Sequence, residues 1–146
     1  MRIAIVGSEE KYWTPETREE ACREIKKILT DDTYYDFNPA DPGDVTYPTL
    51  ISGGCPNGGV DIWAEIIADF IGLDKKIYYP ENDRWEPNGY KERNDKIAHD
   101  CDVLFCIDPD NRDWSGGKWT MKRADFYGRE TQLILVSIKT PKEKAE

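Results

Sequence analysis

The sequence has few of the residues that bind metals or crosslink a chain. It contains four cysteines and one histidine in 146 residues, and no two cysteines form a C-x-x-C pair. Structural zinc sites need clustered thiolate or imidazole ligands, and disulfide scaffolds need a recognisable cysteine framework. The sequence therefore predicts no metal site and no disulfide framework, and we expect no bound cofactor.

Long apolar runs and an excess of positive charge are also missing. No apolar run approaches the ~20 residues that span a bilayer, and the start, MRIAIVGSEE, passes quickly into acids, unlike a secretory signal. The net charge is −9, whereas binding to a phosphate backbone needs a basic face. We expect a cytoplasmic protein with no membrane or nucleic-acid partner. An anion site should draw on residues 112–146, which hold eight Lys/Arg against five Asp/Glu.

Short apolar runs alternate with helical patterns along the chain. Helices are predicted from Thr14-Pro15 to about residue 29 and over 60–71, 90–99 and 118–127. The predicted strands are 2–6, 49–52, 75–79, 103–107 and 132–136.

Apolar strands separated by helices are typical of a parallel sheet covered on both faces. We predict one α/β domain over residues 1–146, a doubly wound, three-layer Rossmann-like sandwich. Its five-stranded parallel sheet should have the order 3-2-1-4-5. The acidic segment 31–47 is predicted to be a loop insertion and 139–146 an exposed tail. The apolar second helix and the many aromatic residues favour a homodimer.

Three glycine-bearing turns follow predicted strands: Gly7-Ser8, the stretch SGGCPNGGVD from Ser52 to Asp61, and Ser115-Gly116-Gly117. The carboxyl ends of the strands at an order reversal are the usual ligand site of such sheets. Two of these turns open helices, whose free N–H groups attract anions. We therefore expect a phosphate, or another compact anionic or polar group, to bind there. Neither turn matches the dinucleotide pattern G-x-G-x-x-G or the phosphate-loop ending G-K-[ST].

Each candidate residue also has a structural explanation. A glycine pair after a strand is alternatively only a tight turn, Asp61 alternatively complements the dipole of its helix, and Arg93 alternatively pairs with a neighbouring acid. Aromatic residues beside the loops either stack on a base or close the loops hydrophobically. These aromatic residues are Tyr12, Trp13, Trp85, Trp114 and Trp119.

The ordered motifs SGGCPNGGVD, YYPENDRWEPNG, ERND and SGGKWT resemble the SLOG superfamily, which includes the DprA and Lonely Guy proteins. They are most similar to its small YpsA-related branch, over roughly residues 2–136 apart from 31–47. The resemblance implies a pocket for a nucleotide or a nucleotide-derived ligand. Carried over by position, it points to Gly53, Gly54, Gly58, Asp61, Arg93, Asn94, Gly116, Gly117 and Thr120.

The sequence departs from the family pattern at three positions. Glu9 stands where relatives often carry an arginine, and Trp119 replaces the glycine before Thr120. Arg123 stands where the Lonely Guy proteins carry a catalytic glutamate. The resemblance therefore does not by itself carry over the hydrolase chemistry.

Three functions remain open from the sequence. The leading hypothesis is a domain that senses or sequesters a nucleotide-like ligand. The alternative is an enzyme of N-glycosidic bonds, either a phosphoribohydrolase or similar to a nucleoside deoxyribosyltransferase, with Asp61, Glu9 and Glu65 as candidate catalytic acids. The third is an interaction protein without a ligand. The complete set of predicted ligand contacts is Gly7, Ser8, Ser52, Gly53, Gly54, Gly58, Asp61, Trp85, Arg93, Asn94, Ser115, Gly116, Gly117 and Thr120.

Overall fold

The computed structural model describes residues 1–137, so the predicted tail 139–146 lies outside the described residues. Short 3-10 helices occur at Glu10–Tyr12 and Asp32–Tyr34. The strands and α-helices are β1 (Arg2–Gly7), α1 (Pro15–Leu29), β2 (Asp36–Phe37), β3 (Val45–Thr46), β4 (Thr49–Ser52), α2 (Val60–Ile71), β5 (Lys75–Ile77), α3 (Tyr90–Asp100), β6 (Val103–Pro109), α4 (Gly116–Phe126) and β7 (Glu130–Val136).

The main sheet has five parallel strands in the order β5-β4-β1-β6-β7. This confirms the predicted order 3-2-1-4-5 and the three-layer α/β architecture. Alternate residues of β1 point to opposite faces of the sheet. Ile3 and Ile5 pack with α1 and α2, whereas Ala4 and Val6 pack with α3 and α4. The order of the strands reverses at β1, between β4 and β6.

Local signals place most helix ends where the sequence predicts them. Thr14 caps α1 by accepting a hydrogen bond from the Thr17 amide, and Pro15 occupies the first helical position. Gly72 ends α2 in the left-handed region with φ of 93°. Helix α4 starts two residues earlier than predicted, because the Ser115 side chain accepts from the Lys118 amide and caps it there. The predicted strand 75–79 is shorter, at Lys75–Ile77.

Segment 31–47 was predicted to be a loop, but it contains a small antiparallel hairpin of β2 and β3. The Asn38 side chain donates to Asp44 across its turn, at 3.1 Å. Tyr35 packs against both Phe37 and Tyr47, and its hydroxyl donates to the Leu29 carbonyl oxygen at 2.6 Å. The aromatic contacts and this hydrogen bond attach the hairpin to the end of α1.

No helix among residues 1–137 combines the length and apolar character needed to cross a membrane.

Two apolar side chains on α2 are exposed to solvent. Phe70 is 90% exposed and Ile66 is 60% exposed. The expected self-association stays a prediction.

The Asp100 carboxylate, at the end of α3, joins three segments at the amino edge of the sheet. It accepts hydrogen bonds from Arg2 and from the Tyr78 hydroxyl, the latter at 2.6 Å, and it lies 2.9 Å from Lys76 Nζ. Burial raises the pKa of Asp100, but the bonds from Tyr78 and Lys76 and the nearby positive charges outweigh it, so the pKa lies below its ordinary value. Asp100 therefore stabilises the fold in its ionised form.

We expect Asp100→Asn to lower the free energy of unfolding by about 1 kcal/mol at pH 7, because its charged partners are half exposed to solvent. Since the folded-state pKa is depressed, this contribution is present above about pH 4 and lost as the pH falls further. Denaturant unfolding at pH 7 and pH 3 measures both effects. Glu19→Gln breaks an exposed pair with Arg23 and serves as the control. A loss that is the same at both pH values would contradict the assignment.

Candidate functional site

A cavity of about 260 Å³ opens at the carboxyl edge of the sheet, where the strand order reverses. Its wall combines the end of β1, the loops that precede α2 and α3, and the loop between β6 and α4. It is lined by Val6, Gly7, Ser8, Glu9, Tyr12, Cys55, Asp61, Trp85, Tyr90, Arg93, Asn94, Arg112, Trp114, Ser115, Gly116, Gly117 and Thr120.

The buried carboxylate of Asp108, at the end of β6, organises the inner wall. It accepts hydrogen bonds from the Ser8 hydroxyl at 2.6 Å and from the Ser115 hydroxyl at 2.5 Å. Each serine oxygen in turn accepts a bond, Ser8 from Arg112 Nη1 and Ser115 from the Lys118 amide, both at 3.0 Å. Asp108 thus connects the end of β1 to the start of α4.

Asp61 is a buried acid without a hydrogen-bonded partner. It lies in the first turn of α2, lines the cavity and is only 7% exposed. No donor among residues 1–137 bonds to its carboxylate. Burial raises the pKa of Asp61 to about 6, the Arg93 guanidinium partly offsets this, and the charges of Glu65 and Glu9 add to it. The carboxyl therefore changes its protonation near neutral pH.

Arg93 and Asn94, in the first turns of α3, place further unsatisfied groups in the cavity. Arg93 Nε donates to Asn94 Oδ1 at 2.7 Å, and Arg93 Nη1 donates to the carbonyl oxygens of Gly53 and Tyr78. In the described part of the chain, no acceptor bonds to Arg93 Nη2 or to Asn94 Nδ2. Both side chains are more than nine-tenths buried and line the cavity.

The start of α4 presents free backbone donors to the same cavity. Gly116 and Gly117 are its first two residues, and no acceptor within residues 1–137 bonds to their amides. A Cβ on Gly117 would lie 3.1 Å from the Gly7 backbone, so the helix contacts β1 directly. A Cβ on Gly116 would lie 3.4 Å from Asn94 Nδ2. Gly116 therefore leaves its amide and the asparagine donor close together.

Aromatic side chains surround the mouth of the cavity. Trp85 meets Trp114 and Trp119 edge to face, with ring centroids 5.4 Å and 5.3 Å apart. On the opposite loop, the Arg112 guanidinium carbon lies 3.5 Å from the centre of the Tyr12 ring, a cation–π contact. Trp114 is 56% exposed and Tyr12 is 38% exposed. The mouth is therefore partly apolar and open to water.

The structure brings together the predicted contacts from four segments of the chain. The predicted residues that line the cavity are Gly7, Ser8, Asp61, Trp85, Arg93, Asn94, Ser115, Gly116, Gly117 and Thr120. Of the candidate catalytic acids, Asp61 and Glu9 line it and Glu65 does not. Glu65 accepts from the Ser52 hydroxyl at 2.7 Å and from the Gly54 amide at 3.1 Å.

Ser52, Gly53, Gly54 and Gly58 lie outside the cavity lining. A Cβ on Gly53 would lie 2.5 Å from Arg93 Nη1 and 2.7 Å from Asp61 Oδ2. At Gly54 it would lie 2.6 Å from the Tyr79 ring. Gly54 and Gly58 also have positive φ angles, 54° and 75°. These glycines leave room for side chains of the protein itself.

The structure locates the three residues at which the sequence departs from the SLOG pattern. Glu9 lines the cavity, where it adds negative charge. Trp119 lies behind Trp85 and outside the lining. Arg123 points to α3, where its Nε donates to Asp95 at 2.6 Å. An ion pair thus occupies the position of the glutamate in the Lonely Guy proteins.

Four residues in or beside the cavity were not predicted, namely Cys55, Tyr90, Asp108 and Arg112. Tyr12 and Trp114 also line the cavity, and the sequence left open whether they stack on a base or close the loops. The sequence does contain an indication that Asp108 lies at the site, because it directly follows the apolar run VLFCI at the end of a predicted strand. Arg112 belongs to the basic C-terminal part in which an anion site was expected. Burial raises the pKa of the Cys55 thiol to about 11, so the thiol stays protonated. No cluster of His, Cys, Asp and Glu among the described residues could hold a metal ion.

Comparisons with protein-family models, curated proteins and solved structures find no match. The resemblance to the SLOG superfamily therefore rests on the motifs and their order. Ten of the predicted contacts line one cavity, and the resemblance had pointed to six of these ten.

We expect Asp108→Asn to lower the free energy of unfolding by about 1–3 kcal/mol, because a buried serine hydroxyl loses its acceptor. Thermal and denaturant unfolding measure the loss. Asp113→Asn, an exposed acid in the same loop, is the matched control. Equal stabilities of Asp108→Asn and the parent would show that the carboxylate does not hold β1 and α4 together.

Asp61→Asn should have the opposite effect in the absence of a ligand. Because the folded-state pKa of about 6 exceeds the unfolded value of about 3.9, ionisation destabilises the parent as the pH rises. The stability of the variant relative to the parent should therefore grow by roughly 1–3 kcal/mol between pH 4 and pH 8. Unfolding curves across this range test it, with Asp113→Asn again as the control. A difference independent of pH would contradict the burial of an ionisable carboxyl here.

Proposed function

We propose that this cavity binds a small nucleotide or nucleotide-derived ligand, and that the protein senses or sequesters it. One observation carries the proposal. Asp61, Arg93 and Asn94 are each more than nine-tenths buried, and each directs an unsatisfied polar group into the same cavity. These unpaired atoms are reached by solvent through the cavity, because among the described residues only Arg129 Nε is a fully buried side-chain nitrogen or oxygen without a partner. A ligand that enters the cavity replaces this solvent and pairs with all three groups.

The groups in the cavity match the parts of a nucleotide. The Asp61 carboxylate accepts hydrogen bonds from ribose hydroxyls, while Asn94 Nδ2 and the amides of Gly116 and Gly117 donate to a phosphate or another anionic oxygen. Aromatic rings at the mouth suit a base. The motif resemblance supports the same class of ligand.

The charges of the lining favour a ligand of low charge. Arg93 and Arg112 face Glu9 and Asp61 across one cavity. Two guanidinium nitrogens of Arg93, Nε and Nη1, already donate hydrogen bonds to protein acceptors. Arg112 makes one hydrogen bond, to Ser8, and keeps the remaining donors for a ligand. It is therefore the main cation for an anionic group.

Asp61 favours one second candidate, an enzyme that cleaves or transfers an N-glycosidic bond. Such enzymes place carboxyl groups beside the anomeric carbon, one of them with a raised pKa. Asp61, with a pKa near 6, suits a proton donor at neutral pH, and Glu9 is a second carboxyl on the same wall. Chromatography of an incubated ligand separates the two functions, since only an enzyme releases a free base.

To test binding, a thermal-shift screen with AMP, GMP, CMP, UMP and their nucleosides is followed by calorimetry. Arg112→Met should weaken binding of the best monophosphate about tenfold to hundredfold, because it removes a charge-assisted hydrogen bond. Lys122→Met removes a cation from α4 outside the cavity and should bind like the parent. The proposal fails if no compound raises the melting temperature, and the role of Arg112 fails if both variants bind equally.

A further inference from the structure

Polar side chains lie deep in the cavity, and aromatic rings lie at its mouth. The floor of the cavity includes Asp61, Arg93 and Asn94, which are at most 7% exposed, beside the buried Val6 and Cys55. Its mouth includes Trp114, which is 56% exposed. Folding normally buries aromatic rings and leaves charged groups in water. Core packing therefore does not explain this arrangement, whereas a ligand with a polar end and a flat apolar end does.

The indoles at the mouth pack against one another. Trp85 and Trp114 meet at 77°, and Trp119 contacts Trp85 at 89° from outside the cavity. The Trp85 ring lies 3.6 Å from the position of a Cβ on Gly116, so it sits above the start of α4. Trp85 and Trp114 thus form an aromatic corner next to the free amides of that helix.

We propose that the ligand binds with its sugar or sugar-phosphate end against the floor and with its base at the mouth, stacked on Trp114 beside Trp85. This inference rests on the proposed function and adds the orientation of the ligand and the residue that recognises its ring. The reverse orientation would leave Asp61, Arg93 and Asn94 without adequate partners against an apolar ring. It would also leave the exposed indole uncovered.

The test separates the ring of the ligand from its sugar phosphate. AMP and ribose 5-phosphate are titrated calorimetrically into the parent and into Trp114→Ala. The variant should bind AMP roughly 5- to 150-fold more weakly, the range found for stacking of a base on an aromatic side chain. Its affinity for ribose 5-phosphate should stay unchanged. AMP should also change the tryptophan fluorescence of the parent more than ribose 5-phosphate does.

Phe70→Ala, which truncates a 90% exposed aromatic residue on α2 outside the cavity, is the matched control and should bind both probes like the parent. Circular dichroism confirms that each variant folds. The orientation is wrong if Trp114→Ala binds AMP normally, if it loses both probes equally, or if the parent binds AMP but not ribose 5-phosphate. In all three cases the parent still binds AMP, so the proposed function stands. If no nucleotide or nucleoside binds the parent, the proposed function and the orientation fail together.

Discussion

The candidate site depends on one buried carboxylate. Asp108 accepts hydrogen bonds from Ser8 and Ser115, which are separated from each other by most of the chain. It thereby sets the position of the β1 turn relative to α4. The two serine oxygens also accept hydrogen bonds, Ser8 from Arg112 and Ser115 from the Lys118 amide. The same network therefore positions Arg112 and the first turn of α4. Removing this acceptor would release both the free helix amides and the main cation of the cavity from their positions.

The proposed function depends on three polar residues of the cavity lining. Asp61, Arg93 and Asn94 are held by backbone and by one another, yet each keeps a polar group without a protein partner. These groups contact solvent through the cavity, since none of them is among the fully buried side-chain atoms without a partner. Under the proposed function, a ligand replaces that solvent as their partner. The raised pKa of Asp61 reflects its burial.

The strands and helices of the main sheet can be predicted from the sequence because the signals for each element lie close together in the chain. Each apolar run, its flanking glycine or proline and the next helix can be recognised within about ten residues. The hairpin in 31–47 was missed because strands of two residues are too short to show a period. The roles of Asp108 and Arg112 depend on Ser8, about a hundred residues away. At Gly53 the side chains of Arg93 and Asp61 approach the backbone closely, and the predicted ligand contact stays a prediction.

The close contact of Gly117 with the Gly7 backbone limits how the site could diverge. A Cβ on Gly117 would lie 3.1 Å from two backbone atoms of Gly7, and backbone atoms cannot turn aside as a flexible side chain does. A larger residue at position 117 would therefore require α4 or β1 to shift by about a few tenths of an ångström. New ligand preferences would have to arise in the loops that carry Trp85 and Trp114. Under the proposed function, substitutions in these outer loops would change selectivity without disturbing the contact between α4 and β1.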